Sequence, residues 1–177
     1  MAQTTYQIDS AHSSAQFSVK HMMISTVRGD FTKVTGTITY DAANPNAATI
    51  EATIDAASIR TREEQRDAHL KSADFFDVEK YPSITFRSTG VASTGSDLEV
   101  VGDLTIHGVT REVALLVEGP SDEAKDPWGN LRIGATATTK LNRKDFGLVW
   151  NAALETGGVL VGEEVKITLD IQAIRQN

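Results

Sequence analysis

The chain has 177 residues, a formal net charge of -7 and no cysteine, with 40% hydrophobic and 23% charged residues. These are ordinary values for a globular chain of one domain's length, and the acidic balance argues against nucleic acid or an anionic membrane surface, which need a cationic face. The lack of cysteine removes disulfides, thiolate nucleophiles, zinc–thiolate sites and iron–sulfur clusters together.

The N-terminal stretch MAQTTYQIDSAHSS has neither a positive n-region nor an apolar h-region, and no run of about 18 apolar residues follows anywhere. The expectation is a soluble cytoplasmic protein with no membrane insertion, or a periplasmic one if a leader was removed. Period-2 alternation then dominates. Phe17 and Val19 alternate with polar residues, as do Val34, Gly36, Ile38 and Tyr40, and then Ile50, Ala52 and Ile54. The stretch TREEQRDAHLKSADFFD, residues 61–77, breaks this pattern and reads as a helix. Thr61 with Glu64 fits a capping box, and Leu70, Ala73 and Phe76 suit an inward stripe. Alternation resumes at Ile84 and Phe86, at Leu104 and Ile106, and at Val113, Leu115 and Val117. It continues through Leu131, Ile133, Ala135 and Ala137 and ends in the cleanest run, Val165, Ile167, Leu169 and Ile171. Turn chemistry separates the runs: DAANPNA at 41–47, STGSD at 93–97, HGVT at 107–110 and EGPSDEAKDPWGN at 118–130. About eight strands, each with one apolar face, imply an all-β antiparallel sandwich or barrel forming a single domain over residues 1–177. The helix falls between the third and fourth of these runs.

Small residues interrupt the inward faces: Gly36, Ala52, Gly102, Ala135 and Ala137. Either larger neighbours fill the space beside them or it is left for a ligand, and the pattern does not choose.

Four histidines, His12, His21, His69 and His107, are the candidates for metal or acid–base work, but no two stand at a local metal-binding spacing. His107, followed by Gly108 between two alternating runs, reads as a hairpin corner. His21 stands where a strand would leave the sheet, and His69 lies on the helix three residues after Arg66; these three are candidates for an anionic head group. Ser10 and Ser13 lie in no Gly-x-Ser-x-Gly elbow. TGGVLVG at 156–162 leads into a strand and not a helix, so it reads as a rim loop or hairpin and not a phosphate cradle. Asp74, Asp77 and Glu79 read as solvated charges near the helix end.

Four segments together carry a resemblance: IDSAHSSAQFSVKHMMISTVRGDF at 8–31, ASIRTREEQRDAHLKSADFFDVEKYPSITFRST at 57–89, GDLTIHGVTREV at 102–113 and LNRKDFGLVWN at 141–151. In this order and spacing the chain resembles the YceI-like family of polyisoprenoid-binding proteins. The resemblance implies an eight-stranded, lipocalin-like antiparallel β-barrel with one short helix between strands three and four. It implies an apolar interior holding a long-chain isoprenoid lipid, such as a polyprenyl phosphate or an isoprenoid quinone, for carriage, storage or sequestration. It implies no catalytic residue set, no metal and no cofactor beyond the bound lipid, and by analogy it allows a homodimer. Alternation combined with the family fold puts Phe17, Val19, Ile38, Ala52, Ile84, Phe86, Leu104 and Ile106 on the tunnel wall. Leu115, Ile133, Ala135, Phe146, Trp150, Ile167 and Leu169 join them. Two alternatives stay open: an enzyme acting on a prenyl or fatty substrate with His21 or His69 as acid–base group, and a metal- or stress-related binder using the histidines.

Overall fold

An alternating strand buries its apolar face only if its neighbours turn theirs to the same side, and here that side is the inside of a ring. The computed structural model describes residues 3–152, 154 and 160–176. In it the chain runs β1 (Thr4–Ile8), β2 (Ser14–His21), β3 (Ser25–Phe31), β4 (Val34–Tyr40), β5 (Thr49–Asp55), β6 (Ile59–Arg60), α1 (Glu64–Lys71), β7 (Ser83–Thr94), β8 (Asp97–Ile106), β9 (Val109–Glu118), β10 (Ala124–Lys125), β11 (Leu131–Asn142) and β12 (Val161–Arg175). The order β11-β9-β8-β7-β5-β4-β1-β12 closes because β12 returns to β11, pairing Glu164–Ile174 with Arg132–Asn142. The result is the expected closed eight-stranded antiparallel barrel with one helix, and closure leaves no free edge in the ring.

The other side of β12 is shared. Its first part pairs with β2, from Val161↔His21 to Asp170↔Ser14, and its end pairs with β1, from Ala173↔Ile8 to Arg175↔Tyr6. A single 3₁₀ turn, Ser10–His12, separates β1 from β2, and the Asp9 carboxylate caps it by accepting from the Ala11 N–H at 3.1 Å. β3 pairs with β2 and β6 with β3, so β2, β3 and β6 form a branch leaving the ring along β12.

The helix lies between the runs at 50–54 and 84–86, as the sequence placed it. Of the ring strands, β1, β4 and β5 precede it and β7 follows, so it stands between the third and fourth strands of the barrel, as expected; the branch strands β2, β3 and β6 also precede it in the chain. The helix is shorter than the expected 61–77 span and is capped differently. Glu63 is the N-cap, and its carboxylate accepts from the N–H groups of Gln65 at 3.2 Å and Arg66 at 2.8 Å. Thr61 instead donates to Asp67 Oδ1, through its N–H at 2.8 Å and its hydroxyl at 2.5 Å. Beyond Lys71 the chain continues in turns, and Phe76 meets Phe31 edge-on with ring centroids 5.6 Å apart.

The barrel interior has two main apolar clusters. One, around Phe31, Val34, Ile59, Ile84, Ile106 and Phe146, lies beneath the helix segment, with Leu70 and Phe76 packed against it. The other, around Val91, Leu98, Val100, Leu115 and Ala137, is built from the far parts of β7, β8, β9 and β11.

Candidate functional site: the barrel cavity

A cavity of about 270 Å³ opens inside the barrel and is lined by residues from both clusters. The lining is almost wholly aliphatic and aromatic; Gln16, Tyr40, Thr85, Thr139 and Arg143 are its polar members. Such a space neither hydrates well nor collapses, because the hydrogen-bonded ring fixes its walls.

Strand alternation places the wall. On β8, Leu98, Val100, Leu104 and Ile106 face the cavity while Glu99, Asp103 and Thr105 do not. The small inward residues divide between the two readings. A Cβ on Gly102 would lie 2.5 Å from the Phe86 ring and 2.5 Å from the Arg87 carbonyl oxygen, so this position is small because a neighbour occupies its space. Gly36 is likewise pressed against the β5 backbone at Glu51 and Ala52. Ala52, Ala135 and Ala137 instead line the cavity.

Of the fifteen residues expected on the tunnel wall, all but Trp150 line the cavity. Trp150 lies outside its lining: its indole meets the His69 ring edge-on at 4.7 Å and tilts against Phe75 at 5.4 Å. The reason is local, since Gly147 takes a left-handed φ of 76° and ends the inward 3₁₀ turn that buries Phe146.

The three head-group candidates are not brought together. None of His21, Arg66 and His69 is among the cavity-lining residues, and among the described residues no hydrogen bond or ion pair links them. His21 sits in the last ladder pair of β2, opposite Val161 on one side and Ser25 on the other. Arg66 turns back on the segment before its helix, donating from Nε to Thr61 Oγ1 at 2.8 Å and from Nη2 to the Thr61 carbonyl at 2.7 Å. His69 Nε2 bonds Asp74 Oδ2 at 2.9 Å, and its ring packs between Phe75 and Trp150. His12 pairs with Asp9 at 2.7 Å. His107, with φ of 56°, and Gly108, with φ of 74°, form the two-residue turn that closes the Ile106↔Val109 hairpin, and the His107 ring packs on Tyr81. Among the described residues no cluster of three or more His, Asp and Glu side chains is placed to hold a metal. Of the glycine-rich stretch 156–162, residues 156–159 lie outside the described residues; Val161 and Gly162 begin β12.

Sequence reasoning missed Phe31, Phe75, Leu148 and Arg143, all of which line the cavity. Phe31 had a signal, since Val27, Gly29 and Phe31 alternate, but a glycine at its centre hides it. Arg143 had none: an arginine in a polar run is ordinarily solvated.

The sequence model of the YceI-like domain matches residues 6–173. A UPF0312 protein of Staphylococcus aureus (strain MSSA476) is 41% identical over 165 residues, which cover 92% of this chain and 93% of that protein. The crystal structure of BcnA from Burkholderia cenocepacia superposes with a TM-score of 0.79 at 25% identity, covering 93% of this chain and 98% of that one. A polyisoprenoid-binding domain from Saccharophagus degradans, implicated in plant cell wall breakdown, shares the fold with a TM-score of 0.69 at 16% identity, over 97% of this chain and 98% of that one.

Proposed function

Because the chain belongs to the YceI-like domain family, we propose that its barrel binds a long-chain isoprenoid lipid, a polyprenyl phosphate or an isoprenoid quinone, and carries, stores or sequesters it. The observation that carries this reading is the apolar cavity inside the barrel, lined by residues of both core clusters. The polyisoprenoid-binding domain that shares the fold supports the same ligand class. Each methylene moved from water into such a lining contributes roughly 0.8 kcal/mol. A chain of several isoprene units therefore exceeds, in gross terms, the observed ceiling of about 18–21 kcal/mol for non-covalent binding. Ordering of the chain and incomplete burial remove the excess. Binding of this kind needs no catalytic group, and the two histidines that an enzyme would use, His21 and His69, stand outside the cavity lining.

The test is mass spectrometry of organic extracts from protein purified out of its native host. A prenyl lipid in stoichiometric amount is the expected result. Extracts free of any long-chain lipid, from protein whose cavity still takes up an added apolar probe, would count against the reading.

A further inference from the structure

Arg143 opens a single 3₁₀ turn, Arg143–Phe146, whose N-cap Asn142 accepts from the Lys144 N–H at 3.0 Å. The three-residue period of that turn sends Arg143 and Phe146 inward together. Lys144 points the other way and pairs with Glu163 at 2.7 Å. Arg143 is only 5% exposed and lines the cavity beside Phe146, Leu148 and Val161. Its guanidinium is held by carbonyls alone: Nε donates to Gly162 at 2.7 Å, Nη1 to Leu148 at 2.5 Å and Nη2 to Val161 at 3.3 Å. The β12 register against β2 shifts between Val161 and Val165, where the accepting Val161 and Gly162 lie.

Those three bonds fix the plane of the guanidinium but do not neutralise it. Among the described residues no carboxylate lies within ion-pair distance of Arg143. A guanidinium has five N–H donors, so Nη1 and Nη2 each keep a second one. Burial pushes the group below its ordinary pKa, but an arginine stays charged. Glu163 supports the charge from beyond ion-pair distance, but its carboxylate is paired with Lys144. A buried cation that no carboxylate among the described residues contacts is costly, and this one borders an apolar cavity.

We propose that Arg143 is the anchor for the oxyanion head of a bound amphiphile, a phosphate or carboxylate on a long apolar chain, with the chain extending toward Leu98, Val100 and Leu115. The inference rests on the lipid-binding reading and narrows it, favouring an anionic lipid over a neutral quinone. The oxyanion supplies a counter-charge in direct contact and takes charge-assisted bonds from donors already oriented.

The experiment measures dissociation constants of the full chain, stripped of lipid, for two matched pairs: geranylgeranyl phosphate with geranylgeraniol, and palmitate with hexadecanol. The expected result is that at least one anion binds about tenfold or more tightly than its alcohol, and the preferred pair tells a phosphate from a carboxylate head. Arg143→Gln is expected to erase that preference, weakening the anion far more than the alcohol. Arg143→Lys, which keeps the charge, is expected to retain part of it, and the wild-type comparison stands even if the glutamine variant does not fold. Alcohols binding as tightly as their anions in the wild type would overturn the anchor and leave the lipid reading intact. So would an Arg143→Gln loss shared equally by anion and alcohol. Binding of none of the four would overturn the lipid reading itself, and the anchor with it.

Discussion

Gly102 and Ala135 are small for opposite reasons. Gly102 leaves room for the Phe86 ring, which a Cβ would approach to 2.5 Å, and for the Arg87 carbonyl oxygen at the same distance. Carbonyl and ring are both fixed by the β7–β8 ladder, so neither yields cheaply. Gly102→Val is therefore expected to destabilise the fold by about 1–3 kcal/mol, read as a lower midpoint in urea unfolding. Ala135 borders the cavity, so a larger side chain there takes the ligand's space before it strains the wall. Ala135→Trp is expected to keep the barrel's circular dichroism while lowering lipid loading about tenfold or more, with Ala135→Leu in between. A folded tryptophan variant that loads lipid as the wild type does would show that the β11 inner face is not the binding face.

Arg132 on β11 joins two elements distant in sequence. Its Nη1 meets Asp9 Oδ2 at 2.6 Å, at the turn between β1 and β2, and its Nε meets Asp126 Oδ2 at 2.7 Å, in the turn leading into β11. The guanidinium holds the Asp126 carboxyl down to about 2, and it, with His12 second, also holds Asp9 below the usual carboxylate range. Folded values below unfolded ones of about 4 mean that the stabilisation is present above that pH and is lost as pH falls toward the folded values. The melting temperature of Arg132→Met should thus lie furthest below wild type above about pH 5, and the gap should close between about pH 4 and pH 2. A gap that stays constant over this range would separate the network from stability. Elements of this kind were unevenly legible in the sequence. The runs at β4, β5, β7, β8, β9, β11 and β12 announced themselves because each alternates on one side of a closed ring. β3 did not, because Gly29 interrupts the face that carries Val27 and Phe31, at a position where a Cβ would strike the Phe17 ring at 2.5 Å. Glu63 outcompeted Thr61 as helix cap because Asp67, one turn into the helix, captures both donors of Thr61. Arg143 was illegible because its burial depends on carbonyls of Leu148, Val161 and Gly162, which only the finished fold gathers around it.

At the scale of the molecule, the cavity exists only when the ring is complete, and the ring is completed by the two ends of the chain. Tyr6 pairs with Arg175 and Ile8 with Ala173, next to the β11–β12 ladder. These contacts are the least local the chain can make, so they reward the loop closure last. Lipid in the cavity can then bind the closed barrel but not an opened one, and occupancy couples to stability by mass action. At a free lipid concentration about a hundred times the dissociation constant the coupling contributes roughly 2.7 kcal/mol. For a domain of this length that corresponds to a rise in melting temperature of roughly 5–10 °C. Protein stripped by organic extraction and then reloaded should show this shift in calorimetry, and the shift should grow with lipid concentration. Ala135→Trp should show little of it, because the mass-action term disappears with the binding space while the ring that closes the fold is unchanged. If stripped and loaded protein melt together while mass spectrometry confirms loading, the lipid must bind opened and closed chains alike, and its place would be a surface that survives unfolding and not the cavity.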